Sequence, residues 1–489
     1  MTLDTRSKWL ALYVLCLGDL MIVLDGTIVN VALPSIRDDL GFTQTSLAWV
    51  VNAYLLTFGG FLLLGGRLGD LFGHRRLFLI GIAIFTLASL ACGFANSQEL
   101  LVAARAVQGI GGAVVSAVAL SLLMTLFTEQ ADRAKAMGVF GFVLSGGGVI
   151  GVLAGGVLTD LLSWNWIFLV NLPLGVLVYV LSLRLLPTQR GPAATGRVDI
   201  AGAVTVTASL MLAVYAIVNG NDQGWTSPQT LGLLGAAGAL FAIFLLIESR
   251  ISSPLVPLGL FRNRNVSTAN TIGILMAAGM FAYFFFSALY LQLVLEYSPL
   301  EVGLAYLPGT VVWGASSLLL SDRLVMRFGI KTPLLAGLGL MTLALVLLAR
   351  VPVDGSWATD VLPATLAVGL GAGIAFNPIL LAAMSGVAQE QAGLASGVVN
   401  TSFMMGGAVG LAVLASLADS RTDDLLAAGE GQLAGLNGGY HLAFIVGAVF
   451  LIASAVVGAA LLRTGASEHA HAHGGDEQPG AVATADAEG

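Results

Sequence analysis

The chain is 489 residues long, with 57% apolar residues, 10% charged residues, a formal net charge of −7 and a mean hydropathy of +0.90. Soluble domains carry about 25% charged residues, so a soluble enzyme, a nucleic-acid binder, a secreted disulfide scaffold and a disordered chain are all excluded. A polytopic membrane protein remains, and the 62 glycines suit one, because small residues let helices approach closely in lipid.

A helix needs about 20 apolar residues to cross the ~30 Å hydrocarbon layer. Fourteen stretches meet that need: 9–33, 46–66, 77–95, 99–124, 137–159, 164–186, 199–218, 229–248, 266–294, 302–321, 332–351, 360–384, 395–418 and 439–462. The first is too long for a cleavable signal peptide. With the N-terminus placed in the cytoplasm, seventeen Lys and Arg fall inside, three fall outside (Arg37, Arg350 and Arg421), and Arg105 stays within a span. That bias sets the expected orientation, with an even number of spans and both termini cytoplasmic. Cys16 and Cys92 lie in apolar runs and read as buried free thiols.

The first span contains LDGTIVNVALP (24–34), which places Asp25 well inside hydrocarbon. A carboxyl there is costly and marks a transport or proton pathway. A carboxyl group can load and release a proton, which suits such a pathway. Asp19 lies six residues earlier, on a different face of the helix. The connection GGRLGDLFGHRR (65–76) places Asp70, Gly73, Arg75 and Arg76 in a tight charged turn, a candidate gate. The fourth span contains RAVQGIGGA (105–113). Arg105 keeps its charge and needs a buried acceptor, for which Asp25 and Asp19 are available. Gln108 shares its face. In the fifth span Gly147, Gly151 and Gly155 recur every four residues and form a smooth packing face. The GxGxxG at 146–151 within it is not a dinucleotide site, since no strand precedes it.

Part of the chain repeats. RLGDLFGHR (67–75) recurs as RLVMRFGIK (323–331), with Met326 in place of Asp70. Gly147-Gly148-x-x-Gly151 recurs at 406–410, and Glu129-Gln130-Ala131 recurs at 390–392. The expected architecture is an all-α membrane protein: a six-helix bundle over 1–186, a linker with two extra spans over 187–264, a second six-helix bundle over 265–463, and a disordered cytoplasmic tail over 464–489. His469, His471 and His473 lie in that tail without a scaffold, and no metal site is expected. No zinc-protease, nucleophile-elbow or phosphate-loop motif is found, so no enzymatic activity is expected.

These elements resemble the fourteen-spanner drug:proton antiporters of the major facilitator superfamily, the EmrB/QacA-type exporters, over nearly all of residues 8–463. LDGTIVNVALP, GGRLGDLFGHRR, RAVQGIGGA, SWNWIFLVNLPLG (163–175), YLQLVLEYSPLEVGLAYLP (290–308) and AGLASGVVNTSFMMGGAVG (392–410) carry the resemblance. It implies the major facilitator fold and proton-driven export of small lipophilic, often cationic compounds across the bacterial cytoplasmic (inner) membrane by alternating access. By position, it makes Asp25 the coupling carboxylate, Arg105 the relay cation, and Asp70 with Arg75 the gate. Asp19 is a further candidate for the proton route. Four positions depart from the pattern: Val152 stands for a Pro, Asn165 for an Arg, Phe403 or Met404 for a basic residue, and Asp19 for an apolar residue. A substrate cavity between the halves is expected to draw on Tyr54, Gln108, Phe142, Asn171, Phe284, Tyr290, Gln292, Asn377 and Met404. The expected partners are the lipid bilayer, protons and a small lipophilic substrate, with no cofactor beyond the proton gradient, no nucleic acid and a working monomer. The alternative is a dedicated exporter of an endogenous lipid, sugar, peptide or siderophore in the same fold.

Overall fold

The computed structural model describes residues 5–127, 129–187, 199–251, 253–385, 387 and 391–463. The described residues form helices and connections, without strands. Fourteen helices are long and apolar enough to cross a membrane: α1 (Arg6–Leu40), α2 (Gln44–Phe72), α3 (His74–Gly93), α4 (Gln98–Leu126), α5 (Lys135–Leu161), α6 (Trp166–Leu185), α7 (Ile200–Val218), α8 (Pro228–Arg250), α9 (Arg264–Val294), α10 (Pro299–Phe328), α11 (Lys331–Leu348), α12 (Trp357–Met384), α13 (Gly393–Ala427) and α14 (Gln432–Leu461). They coincide with the fourteen predicted spans. The helices run longer than the apolar stretches, because apolarity marks the hydrocarbon and not the end of the hydrogen-bond ladder. α13 has 35 residues, about 52 Å at 1.5 Å per residue, and so extends well beyond a ~30 Å core.

Helix pairing follows the repeat. α1 packs on α5 and α6, α2 on α4, and α3 on α4 and α6. Eight helices later, α9 packs on α13 and α14, α10 on α12, and α11 on α12 and α14. The contacts that join the two sets are also reciprocal, α2 with α13 and α5 with α10. The extra pair is different. α7 and α8 pack on each other, and α7 also lies against both α2 and α13.

The glycine stripe of α5 settles where expected. A Cβ at Gly147 would meet Leu20 and Val23, one at Gly151 would meet Leu24 and Thr27, and one at Gly155 would meet Ile28, all on α1. Val152 is buried and α5 carries no proline, so nothing breaks its ladder there. At its far end α5 meets α10, where Gly156 lies against Pro299 and Leu300, and Gly303 against the Val152 carbonyl. Its first half is looser, with open space beside Gly138, Gly141, Gly146 and Gly148.

The two copies of the R-L-x-x-x-F-G-x-basic turn fold alike. Gly73 closes α2 at φ +93° and its N–H bonds the Gly69 carbonyl; Gly329 closes α10 at φ +73° and its N–H bonds the Val325 carbonyl. A side chain at either position would be strained. The basic residue that follows also acts alike. Arg75 donates to the Leu183 carbonyl at 2.5 Å in the last turn of α6, and Lys331 donates to the Ala459 carbonyl at 2.5 Å in the last turn of α14. Both cations therefore sit at the negative end of a helix dipole and satisfy a free carbonyl there. The Glu129-Gln130-Ala131 match, the 188–198 connection and the histidine tail lie wholly or partly outside the described residues.

Candidate functional site

Five helices bring one polar cluster together inside the first half. α1 supplies Asp25, α3 supplies Ser89, α4 supplies Arg105 and Gln108, α6 supplies Asn171, and α2 supplies Tyr54 and the Val50 carbonyl. Asp25, Ser89, Gln108 and Asn171 are fully buried and Arg105 is 1% exposed. Groups buried this deeply depend on one another for hydrogen bonds, and among the described residues only the Asn171 amide oxygen and the Tyr54 hydroxyl in the cluster lack a partner.

The geometry shows how that is done. Arg105 Nη1 donates to Asp25 Oδ2 at 2.5 Å and to Gln108 Oε1 at 2.6 Å, and its Nε donates to the Val50 carbonyl at 2.9 Å. The other carboxylate oxygen, Asp25 Oδ1, accepts from Gln108 Nε2 at 2.8 Å and from Asn171 Nδ2 at 3.0 Å. Both amides also donate to Ser89 Oγ, at 2.6 and 3.3 Å. The guanidinium lies between two rings, 4.4 Å from the Tyr54 centroid and 5.5 Å from that of Phe168. Cation–π contact is strongest where water is excluded. The site therefore holds one permanent cation against one carboxyl group, which accepts from Arg105, Gln108 and Asn171. A proton on Asp25 removes the charge that Arg105 faces, and nothing else among the described residues bonds Arg105 with a carboxylate.

The other candidates are spread more widely. Asp19 is 1% exposed, beside Ser116 of α4, with Oδ2 lacking a hydrogen-bond partner; it does not join the Asp25 cluster. Asp70 is half-exposed and pairs within its own turn, 3.3 Å from His74 and 4.0 Å from Arg67. Arg76 is exposed. Asn165, which stands for an Arg, donates to the Gly93 carbonyl at 3.1 Å and ties α6 to the end of α3.

Of the nine cavity candidates, Tyr54, Gln108 and Asn171 belong to the charged cluster. Tyr290 and Gln292 act as ties: the Tyr290 hydroxyl donates to the Pro352 carbonyl at 2.7 Å, and Gln292 Nε2 donates across the halves to the Val31 carbonyl at 2.9 Å. Asn377 donates to Asp322 at 2.7 Å, Met404 packs against Gly59, and Phe284 joins a cluster of aromatic rings in the second half. The Phe142 side chain lies outside the described residues. Ser89 was not singled out from sequence, because a lone serine in an apolar span carries no signal of its own. The Asn171 to Asp25 contact spans 146 positions and has no local signature either.

Known proteins place the chain. A sequence profile described as Major Facilitator Superfamily matches residues 15–411. The chain is 39% identical over 454 residues to the puromycin resistance protein pur8 of Streptomyces alboniger, covering 91% of this chain and 90% of that one. It is 38% identical over 460 residues to the cephamycin export protein CmcT of Amycolatopsis lactamdurans, covering 93% of each. Among solved structures it resembles the nucleoside transporter NupG, with a TM-score of 0.66 at 14% identity, over 93% of this chain and 100% of that one; this likeness concerns the fold alone.

Proposed function

Because the chain belongs to the major facilitator superfamily, we propose a transport cycle built on its buried Asp25–Arg105 pair. The protein is a multi-pass transporter of the bacterial cytoplasmic membrane and not an enzyme. It is an antibiotic-efflux type of antiporter, and its cargo is a small lipophilic molecule of the kind its relatives resist or export. The N-terminus and the tail face the cytoplasm, one chain is the working unit, and the proton gradient supplies the energy.

The observation that carries this reading is the composition of the cluster. Breaking a buried ion pair by neutralising one partner costs about 3–5 kcal/mol. That is enough to bias a two-state equilibrium by more than a hundredfold, since each 1.4 kcal/mol is tenfold. A proton arriving on Asp25 releases Arg105 from its carboxylate, while Arg105 keeps its bonds to the Val50 carbonyl and Gln108. The α1–α4 contact is thereby loosened in one protonation state and tightened in the other. Asp19 is a second acid on the same helix and a candidate station on the proton's route. The turn with Asp70, Gly73, Arg75 and Arg76 is assigned to the gate, since it links α2 and α3 and holds the end of α6.

The test uses inverted vesicles with an imposed pH gradient and a fluorescent pH probe. Lipophilic cations, neutral antibiotics and zwitterions are added to wild type and to Asp25→Asn. The expected result is substrate-triggered proton release in wild type that disappears in Asp25→Asn. Release that persists in the variant would move the proton elsewhere. One similar protein is described as an export protein for a single class of antibiotic, which favours a dedicated exporter as the second reading. Competition separates the two: unrelated compounds displace one another only in a multidrug transporter.

A further inference from the structure

The extra helix pair carries two acids that the transport cycle above does not use. Asp199 stands at the start of α7 and Glu248 in the last turn of α8, and they are 2% and 3% exposed. Their carboxyl groups lie within hydrogen-bonding reach of each other. One oxygen of each is held by backbone. Asp199 Oδ1 accepts from the Gly202 N–H at 2.7 Å, which caps α7, and Glu248 Oε2 accepts from the Val256 N–H at 3.3 Å. The other oxygen of each, Asp199 Oδ2 and Glu248 Oε1, is buried and has no donor among the described residues.

Charge balance decides what fits between them. Buried polar atoms need a partner, and two carboxylates in contact repel unless a cation lies between them. Among the described residues no Lys, Arg or His forms an ion pair with either acid. On α2, Arg67 and Asp70 are engaged in their own turn with His74. Arg250 of α8 and Arg262 ahead of α9 are exposed, and Arg264 of α9 bonds the Ala460 carbonyl. α13 brings no charged residue to this end between Gly393 and Val399. Arg190 and Arg197, in the connection before α7, lie outside the described residues. A calcium ion takes six or more oxygen ligands, and among the described residues no third His, Cys, Asp or Glu joins the pair. A proton needs only the two oxygens that lack a donor.

The position of the pair gives that proton a task. Ala203, one turn into α7, packs with Leu64 of α2 and with Leu255, the residue before Val256. Val256 packs on this cluster and also on that of Leu260, Val266 of α9 and Val398 of α13. The connection that Glu248 holds is therefore wedged between α2 and α13, at the end of their joint nearest the Gly73 turn. Farther along, Ser209 of α7 donates to the Ala237 carbonyl of α8 at 2.8 Å, and Asn221, beyond α7, donates to the Ser416 carbonyl of α13 at 2.7 Å. Neutral bonds pin the far end of the helix pair, whereas two acids close the near end.

We propose that Asp199 and Glu248 bind one proton between Asp199 Oδ2 and Glu248 Oε1, and that this proton clasps the start of α7 to the end of α8 beside the α2–α13 joint. It is a proton site apart from Asp25, and its place outside the coupled route rests on the transport reading above. A carboxyl–carboxylate hydrogen bond is charge-assisted and strong. Removal of the proton leaves two anions in contact, which part and free the connection from the joint. The stability that the clasp contributes is therefore full at low pH and is lost as the pH rises through the range in which the pair gives up its proton.

The test follows the melting temperature of the purified full-length protein in detergent across pH, in wild type, Glu248→Gln and Asp199→Asn. Each amide replaces the shared proton with a permanent N–H donor to the remaining carboxylate, and Asn keeps the cap on α7. The expected result is a wild type that matches both variants at acid pH and melts several degrees below them at alkaline pH. A difference from wild type that stays constant with pH overturns the shared proton. So does stabilisation by calcium chloride that Glu248→Gln abolishes, which would make the occupant a metal ion. Arg197→Gln is expected to keep the alkaline weakening; its disappearance there would assign the counter-charge to that arginine and overturn the site. If Glu248→Gln fails to fold, Asp199→Asn is read in its place. Glu248→Gln is also expected to keep the Asp25-dependent proton release, and its loss would put the pair on the coupled route against the proposal. Melting needs neither cargo nor gradient, so a silent proton-release assay in wild type sinks the transport reading and leaves the clasp standing.

Discussion

Asp25 and Arg105 were legible in the sequence because a charge inside an apolar span has so few explanations. What could not be read was the company they keep. Gln108 presents both ends of its amide to the pair, accepting from Arg105 and donating to Asp25. Arg105 spans three acceptors from its planar fork, which an ammonium cannot reproduce. Arg105→Lys is therefore expected to lower proton-coupled transport at least tenfold while the protein still reaches the membrane; vesicle flux normalised to expression checks this. Asp19 makes a useful contrast. It stands apart from the cluster, so Asp19→Asn is expected to leave the Asp25-dependent proton release in place, read by the same pH probe. Tyr290 and Gln292 show the opposite limit of sequence reading. Both were cavity candidates by residue type, yet their polar groups are committed to backbone carbonyls. A tyrosine or glutamine in a span looks the same whether it faces a ligand or closes a backbone bond.

At the scale of the helix, fourteen spans and the glycine face of α5 followed from length and period alone. The glycine face yields a stability prediction. A leucine at Gly151 would have to displace Leu24 and Thr27 on α1, where backbone as well as side chain stands in the way. Overpacking of this kind costs about 1–3 kcal/mol, so Gly151→Leu is expected to lower the melting temperature in detergent by several degrees, whereas Gly148→Leu, beside open space, is not. Arg75 was read as a gate element, and the structure adds a local task that it shares with Lys331, since each holds the last turn of a neighbouring helix. Such a tie contributes about 0.3–1 kcal/mol. Arg75→Gln and Lys331→Gln are expected to produce small and similar melting shifts, even though Asp70 is present in one copy and Met326 in the other.

For the whole molecule, the sequence pointed to a duplicated unit, and the pairing of α2 with α13 and α5 with α10 is what such a duplication builds. Alternating access requires that these two contacts change. Gly156 and Gly303 sit close together where α5 meets α10. Cysteines placed at both positions are expected to cross-link and to stop transport until a reductant is added; flux before and after reduction checks this. The native Cys16 and Cys92 are buried and leave the background low.

The extra helices make the two joints unequal toward the lipid. α7 lies across α2 and α13, with Thr207 against Gly60 and Ala203 against Leu64, whereas among the described residues α7 and α8 make no comparable contact with α5 or α10. A lipophilic solute is concentrated in the bilayer and not in the water. One flank is shuttered. The other joint, between α5 and α10, has open space near it beside Gly138 and Gly141 of α5. If a lipophilic cargo is taken up from the bilayer, the rate of clearance follows its partition into lipid more closely than its concentration in the cytosol; flux measured for cargoes of graded partition coefficient checks this.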